Sequence, residues 1–359
     1  MITYDIIEHG KPLQKVIKET PQPRGTEVLV RVTRSGVCHS DLHIWDGYFD
    51  LGGGKRFYVR DRGCVPPFTM GHEPFGVVEA LGSSVSRIDK KLRVGQKRLV
   101  FPWIGCGACP VCKDGQDNYC LKQRFVGVMR PGAYSTHLLV PHPKYLVDAS
   151  GVEEGFAATL ACSGLTAYSA ISKLPQMNPR DWVAVLGCGG LGLVAVSILK
   201  AKGIRNVIAC DVDVAKLAAA KKLGAKKTLD TRAPDAAQKL QALAGGYLAA
   251  AIDFVGMPAT HAAAYPALRK GGRYILCGLF GGEITLALPP VAQRAVAVMG
   301  SYVGNLQELK EVVALAKKKK LRPAPVSTRP ADQVNAILED LKAGKVLGRV
   351  VLDLEHAVA

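Results

Sequence analysis

The sequence predicts an α/β chain in which a β-rich domain precedes a doubly wound parallel sheet. Three observations carry this. The first third is a series of short apolar runs between Gly, Pro and Asp punctuation, and from about Asp181 such runs alternate with helical patterns. Where the first of these later runs ends, a glycine turn, Gly187-Cys-Gly-Gly-Leu-Gly192, opens an apolar helix. At 359 residues the chain exceeds one ordinary core and suits two domains.

In the first third, Glu27 to Val32 (EVLVRV) and Phe75 to Leu81 (FGVVEAL) read as short strands. Asp50 to Pro67 (DLGGGKRFYVRDRGCVPP) is glycine-rich and basic without helical period, and is expected to be a surface loop. Further on, Trp182 to Leu186 is a strand entering the glycine turn, Leu191 to Lys202 a helix, and Asn206 to Cys210 another buried strand. Ala249 to Val255, Arg273 to Leu279 and Ala295 to Met299 continue the series, which implies a parallel sheet with right-handed crossovers. After Tyr302 come a helix (Asn305 to Lys319), a proline-rich turn, a second helix (Pro330 to Ala343) and a last strand (Gly348 to Leu354) expected to rejoin the first domain. The expected division is residues 1–160, 161–301 and a returning segment 302–359.

A hydrophobic fraction of 48% with 38 glycines excludes a disordered chain. The net charge of +17 raises the question of nucleic acid, but the basic residues are scattered along amphipathic stretches such as Ala215 to Lys222 and Lys317 to Lys320, with no recognition motif. They read as solvated helix faces, or as a field attracting an anionic cofactor or substrate. Nothing resembles a secretory start, and the apolar runs are broken well short of membrane-spanning length, so a cytoplasmic protein is expected, with no membrane partner.

Ten cysteines are many for a reducing compartment unless they bind metal. Cys106, Cys109, Cys112 and Cys120 form C-x2-C-x2-C-x7-C, four thiolates on one loop, which suits a closed structural zinc site and also an iron–sulfur cluster. Elsewhere, Gly36-Val-Cys-His-Ser-Asp-Leu-His43, Gly71-His-Glu-Pro-Phe-Gly76 and Leu160-Ala-Cys-Ser-Gly-Leu-Thr166 each present metal-ligand side chains. Taken singly, such residues are more often core or satisfied polar groups.

Together, and in this order, these segments and the cysteine lobe (about residues 101–122) resemble the zinc-dependent medium-chain alcohol dehydrogenases, specifically their microbial, typically tetrameric branch. The resemblance covers essentially the whole chain and implies a GroES-like catalytic domain beside a Rossmann NAD-binding domain. It implies two zinc ions per subunit: a catalytic one on Cys38, His72 and Cys162 with its fourth position open, and a structural one on Cys106, Cys109, Cys112 and Cys120. Zinc as a Lewis acid lowers the pKa of an alcohol, and Ser40 and His43 occupy the family's proton path. Asp41 would orient His72, with Glu73 behind the metal, although both also read as ordinary turn or surface carboxylates.

Gly187, Gly189, Gly190, Leu191 and Gly192 follow a strand and open a helix, the context a dinucleotide pyrophosphate requires. Asp211, nineteen residues beyond Gly192, would accept from both ribose hydroxyls and repel a 2′-phosphate, favouring NAD over NADP. By resemblance, Lys216 lies near the adenosine ribose, Thr166 beside the nicotinamide and Arg349 at the pyrophosphate. His39 stands where some relatives carry arginine, a departure that weakens phosphate binding and makes it pH-sensitive.

Trp45 and Trp103 fall where the family lines its substrate pocket, although both also read as core filler. The expected activity is reversible, NAD-linked oxidation of a primary alcohol, aliphatic or benzylic, by a homo-oligomer, tetrameric rather than dimeric. A secondary-alcohol or polyol dehydrogenase is the alternative within the family. A non-enzymatic zinc or redox-responsive binding protein is the alternative outside it, and the presence of Ser40 and His43 speaks against it.

Overall fold

Val28–Val37 is buried along nearly its whole length because sheet neighbours and packed helices cover both of its faces. In the computed structural model, which describes residues 1–357, this strand is the spine of a seven-stranded sheet. It pairs antiparallel with Pro74–Leu81, His137–Val140 and Arg349–Asp353, and the last of these extends in parallel to Val326–Pro330. The chain therefore returns at its end to the first domain, with Val351 opposite Gly36.

The second sheet is parallel throughout. Its six strands run in the order Lys227–Asp230, Val207–Asp211, Val183–Leu186, Leu248–Asp253, Leu268–Leu276, Ala297–Gly300. This is the doubly wound order, and its switch point lies between Val183–Leu186 and Leu248–Asp253, where connections leave toward opposite faces and open a crevice at the carboxyl ends. Lys227–Asp230 was not among the expected strands because its side chains are mostly polar; it forms by pairing with Ile208 to Asp211 at the sheet's edge. The helix Gly190–Ala201 packs residues 192–199 into the core. The helix Leu306–Lys317 starts on a capping box, Asn305 Oδ1 accepting from Glu308 N and Glu308 Oε2 from Asn305 N, each at 2.9 Å.

Between the sheets, the helix Glu154–Thr159 packs on the first sheet and continues through one π-helical turn, Leu160–Gly164, into the helix Leu165–Ser172. Such a turn widens the helix by one residue and re-aims the side chains on it. Cys162 sits in its middle.

The expected surface loop at Asp50 to Pro67 is instead a β-hairpin, Tyr48–Gly52 with Lys55–Tyr58, followed by a single 3-10 turn, Val59–Arg62. The glycines that suggested a loop form the hairpin turn: Gly52, Gly53 and Gly54 all have positive φ, where a side chain is strained. The hairpin reaches across to the nucleotide domain, where Gly52 packs against the Gly282 backbone. Among the described residues no helix is long and apolar enough to cross a membrane.

Asp253, at the end of Leu248–Asp253, is fully buried and holds the far wall of the crevice. Its carboxylate accepts from Val255 N (2.8 Å), Gly256 N (3.0 Å), Thr260 Oγ1 (2.7 Å) and Tyr274 OH (2.6 Å). Asp253→Ala strands these donors and is expected to lower unfolding free energy by about 3 kcal/mol. Denaturant titration checks this; a change below about 1 kcal/mol would show the node to be dispensable.

Candidate active site

The spine strand ends at Cys38, which caps the helix His39–Asp46; Cys38 N donates to Asp41 Oδ2 at 2.9 Å. The same Asp41 reaches two further elements. Its Oδ1 lies 2.9 Å from His72 Nδ1, and Tyr134 OH donates to its Oδ2 at 2.9 Å. Asp41, His72 and Glu73 are fully buried, so neither acid is a surface carboxylate. Gly36 makes room for this packing, since a Cβ there would fall 1.8 Å from Glu73 Oε2.

With Cys162 brought in by the π turn, one donor atom each of Cys38, His72, Glu73 and Cys162 lies within 4.8 Å of the others, all buried. The two sulfurs are 3.8 Å apart. The hydrogen bond from Cys162 holds the Cys38 thiol well below its ordinary range against the opposing effect of burial, and pushes the Cys162 thiol up. Burial alone would lower the His72 imidazole, yet Asp41 and Cys38 hold it well above its usual value. Burial raises Glu73 to about 7, with Arg349 pulling the other way. His72 Nε2 is buried with no hydrogen-bond partner among the described residues. A buried nitrogen left unpaired beside two thiols suits a metal ion, and two sulfurs with one imidazole suit zinc.

A second cluster lies on the lobe, where the sulfurs of Cys106, Cys109, Cys112 and Cys120 sit within 4.8 Å of one another. Backbone amides already point at them: Cys109 N donates to Cys106 Sγ (3.4 Å), and Cys106 N and Lys122 N to Cys120 Sγ (3.3 Å each). The amides of Ala108 and Cys109 bring the Cys106 thiol down to about 6. Four sulfurs leave no position for a substrate, the arrangement of a structural ion.

The crevice at the switch point is a cavity of about 840 Å³ lined by Gly187, Gly189, Gly190, Leu191, Gly192, Asp211, Lys216 and Arg349, with His39 and His43 facing them. Asp211 Oδ2 accepts from Cys188 N at 2.6 Å, tying the glycine turn to the next strand. The glycines are sterically required. A Cβ on Gly192 would lie 1.8 Å from Gly187 O, and one on Gly190 would lie 2.2 Å from Arg349 Cδ. At Gly189 nothing lies within 4 Å, so its backbone is open to a ligand.

Residues 24–150 match the alcohol dehydrogenase GroES-like domain and residues 190–318 the zinc-binding dehydrogenase family. An NAD-dependent alcohol dehydrogenase of Sulfurisphaera tokodaii is 34% identical over 97% of this chain and 98% of its own length. The chain belongs to the zinc-dependent medium-chain alcohol dehydrogenases. Among solved members, the alcohol dehydrogenase of the hyperthermophilic archaeon Aeropyrum pernix superposes with a TM-score of 0.87 at 32% identity, over 98% of this chain and 100% of that one. The acetophenone reductase of Geotrichum candidum, solved in complex with NAD, gives 0.86 at 29% identity over 99% and 98%.

Against that family, several expected positions need correction. Trp45 does not face the cleft. It is buried on the helix side turned away from His43, with Nε1 donating to Lys11 O at 2.6 Å and Lys342 Nζ 5.1 Å from its ring. Two residues along a helix is more than half a turn, which carries the indole to the opposite side. The aromatic ring that does meet His43 is Phe49, stacked at 4.6 Å. Its sequence signal was Gly47, left-handed at φ 87, which ends the helix and turns the chain back over it. Trp103 is buried with its ring 5.4 Å from His72, and its Nε1 donates to Ala161 O at 2.9 Å, bracing the turn that carries Cys162. Arg349 lines the crevice, but its guanidinium is ion-paired with Glu73, so it joins the glycine turn to the metal cluster.

Ser40 Oγ lies 3.9 Å from Cys38 Sγ. Burial lowers both His39 and His43, and His39 stacks on Phe280 at 4.5 Å. Thr166 is buried one turn beyond Cys162, its hydroxyl without a partner among the described residues, but it does not line the crevice. Tyr134, Phe280 and Asp253 had no sequence signal as site residues.

Gly192→Ala forces the glycine turn off Gly187 and is expected to weaken NAD binding about tenfold or more. Fluorescence titration with NADH checks it; unchanged affinity would place the pyrophosphate elsewhere.

Proposed function

We propose that the protein is a zinc-dependent dehydrogenase that oxidises a primary alcohol, aliphatic or benzylic, to its aldehyde with NAD, reversibly. The observation that carries this reading is the buried cluster of Cys38, His72 and Cys162 next to a glycine-turn crevice: Val37, His39 and His43 around Cys38 line the crevice, and Ser40 Oγ lies 3.9 Å from Cys38 Sγ. Cys38, His72 and Cys162 would hold the catalytic ion and Cys106, Cys109, Cys112 and Cys120 a second, structural one. When bound, zinc supplies Lewis acidity toward an alcohol oxygen, and NAD supplies the hydride acceptor.

The rest is done by side chains. Ser40 Oγ takes the proton of the substrate hydroxyl, and the His43 imidazole, kept neutral by burial, is the base that receives it at the cleft. Asp41 fixes the His72 ring so that Nε2 points into the cluster. Asp211 and Lys216 are assigned to the adenosine ribose and His39 and Arg349 to the pyrophosphate side, all of which line the crevice; Thr166, which does not line it, is assigned to the nicotinamide on the family resemblance alone. The same reading takes the protein to be a cytoplasmic homo-oligomer, tetrameric like the microbial branch. In support, Ala297–Gly300 is the edge strand of the parallel sheet and exposes Val298, and the chain leading to it exposes Ile284 and Leu288. A second reading, oxidation of secondary alcohols, is favoured by the likeness to the acetophenone reductase, whose named substrate is a ketone. Turnover of matched primary and secondary alcohols separates the two.

Cys162→Ala is expected to abolish NAD reduction by alcohols and to lower bound zinc from two ions per chain to one, with far-ultraviolet dichroism unchanged. Turnover at the wild-type rate would sink the ligand assignment. Asp211→Gly removes the carboxylate that repels a 2′-phosphate, so the NADP-to-NAD ratio of kcat/KM is expected to rise about tenfold or more. An unchanged ratio would take Asp211 out of cofactor choice.

A further inference from the structure

Two rows of aromatic rings leave the metal cluster and end on the same side chain. One row starts at His43, which stacks on Phe49 at 4.6 Å; Phe49 lies 6.4 Å from Phe57, and the Arg62 guanidinium sits over Phe57 with its Cζ 4.5 Å from the ring centre. The other starts at His72, 5.4 Å from Trp103; Trp103 meets Phe125 edge-on at 5.2 Å, and Phe125 lies 6.2 Å from Tyr302. Tyr302 closes the circuit. Burial raises its hydroxyl above the ordinary range, while the Arg62 guanidinium beside it, within hydrogen-bonding reach, acts in the opposite direction and the nearby Cys162 adds to the rise. One row thus begins at the proton-path histidine, the other at a metal-ligand histidine, and Arg62 stands where they converge.

The charge on Arg62 is unspent. Arg60, two residues earlier, has Asp61 at 3.8 Å, but no carboxylate lies within ion-pair distance of Arg62 among the described residues. The acid that packs on this hairpin, Glu283, meets it at the far end, 3.5 Å from the Cβ position of Gly53. A guanidinium resting on a ring face keeps its N–H donors in its own plane; one is directed at the Tyr302 hydroxyl, and the others remain for a carboxylate. Arg62 is solvent-exposed, so it can bind a group arriving from water, and the half-buried rings of Phe57 and Phe49 behind it offer flat apolar surface to whatever the group is attached to.

We infer that Arg62 is a substrate anchor, and that the protein acts on alcohols and aldehydes carrying a carboxylate remote from the reacting carbon, with a flat, preferably aromatic, body between. This rests on the alcohol dehydrogenase reading above and names its substrate class. The carboxylate docks on the remaining Arg62 donors, the body lies along Phe57 and Phe49, and the hydroxyl carbon reaches the Ser40 side of the metal cluster. A neutral alcohol of the same shape keeps the apolar contacts and loses the anchor, so the difference falls mainly in KM.

The test is steady-state kinetics with NAD on 4-(hydroxymethyl)benzoate and 4-(hydroxymethyl)cinnamate, each beside its neutral primary amide, with benzyl alcohol and 1-butanol as references. The wild-type enzyme is expected to favour the carboxylate over the amide in at least one pair, through KM, with the advantage shrinking as salt is raised. Arg62→Gln should lower that carboxylate-to-amide ratio of kcat/KM about tenfold, Arg62→Lys should retain part of it, and Arg62→Glu should invert it. Equal ratios in wild type and Arg62→Gln, or no carboxylate preference in either pair while benzyl alcohol or butanol is oxidised, would overturn the anchor and leave the alcohol dehydrogenase reading standing. Failure of every alcohol, the references included, to reduce NAD would overturn that reading and the anchor with it.

Discussion

Glu73 and Arg349 form an ion pair with both side chains buried, and the two halves of the site meet on it. Glu73 belongs to the metal cluster and backs onto Gly36 of the spine strand; Arg349 opens the last strand, and its aliphatic stem runs against Gly190 of the glycine turn. Burying two charges costs several kcal/mol each, and losing one partner of such a pair typically costs about 3–5 kcal/mol. The pair is thus a constraint more than a source of stability: once both charges are buried, the catalytic sheet and the glycine turn are held at one separation. That explains why the chain ends by returning to the first sheet. The strand that brings Arg349 home, Arg349–Asp353, has to lie beside Val28–Val37 for its arginine to reach Glu73.

Asp41 plays the corresponding role within the cluster. One carboxylate receives the Cys38 amide and the Tyr134 hydroxyl and faces the His72 ring, so residues from three separate segments are aimed before any ligand arrives. The geometry leaves His72 Nε2 nothing to bond except what enters between the two thiols. Side chains aimed in this way before a ligand arrives are preorganised, and the unpaired His72 Nε2 between the two thiols marks where a ligand would enter.

What was legible in the sequence shares one property: the chemistry is local. The glycine turn and the cysteine lobe each require fixed residue types a few positions apart, and each is found where its spacing placed it. Cys38, His72 and Cys162, the proposed metal ligands, are far apart in sequence and were legible as a set only through family resemblance, since no single spacing relates them. What was not legible depended on direction in space. Trp45 and His43 lie two positions apart, and only the helix phase separates a core indole from a cleft imidazole. The π turn at Leu160–Gly164 has no pattern of its own, because an extra residue in a buried apolar helix changes no hydrophobic period that a sequence displays. The basic segment read as a loop because its three adjacent glycines dominate; the pairing of Tyr48 with Tyr58 and Phe49 with Phe57 across them emerges only when the strands are laid side by side.

That hairpin also shows how labour is divided in this molecule. The atoms that do chemistry sit on strand ends and helix starts, where the backbone is fixed by two sheets. The hairpin sits outside both sheets as a two-stranded addition, its aromatic side chains turned toward His43 and its arginines toward solvent and ring faces. A segment attached in this way is free to vary in length and charge without moving a metal ligand, because none of its residues is hydrogen-bonded to the Asp41 node. On the proposed reading, reaction type is held by the rigid frame and substrate choice by the addition. In this chain the addition is cationic and meets a second aromatic row at Arg62, a guanidinium with no carboxylate partner among the described residues, so that reading makes charge, more than pocket size, the property by which the entrance discriminates.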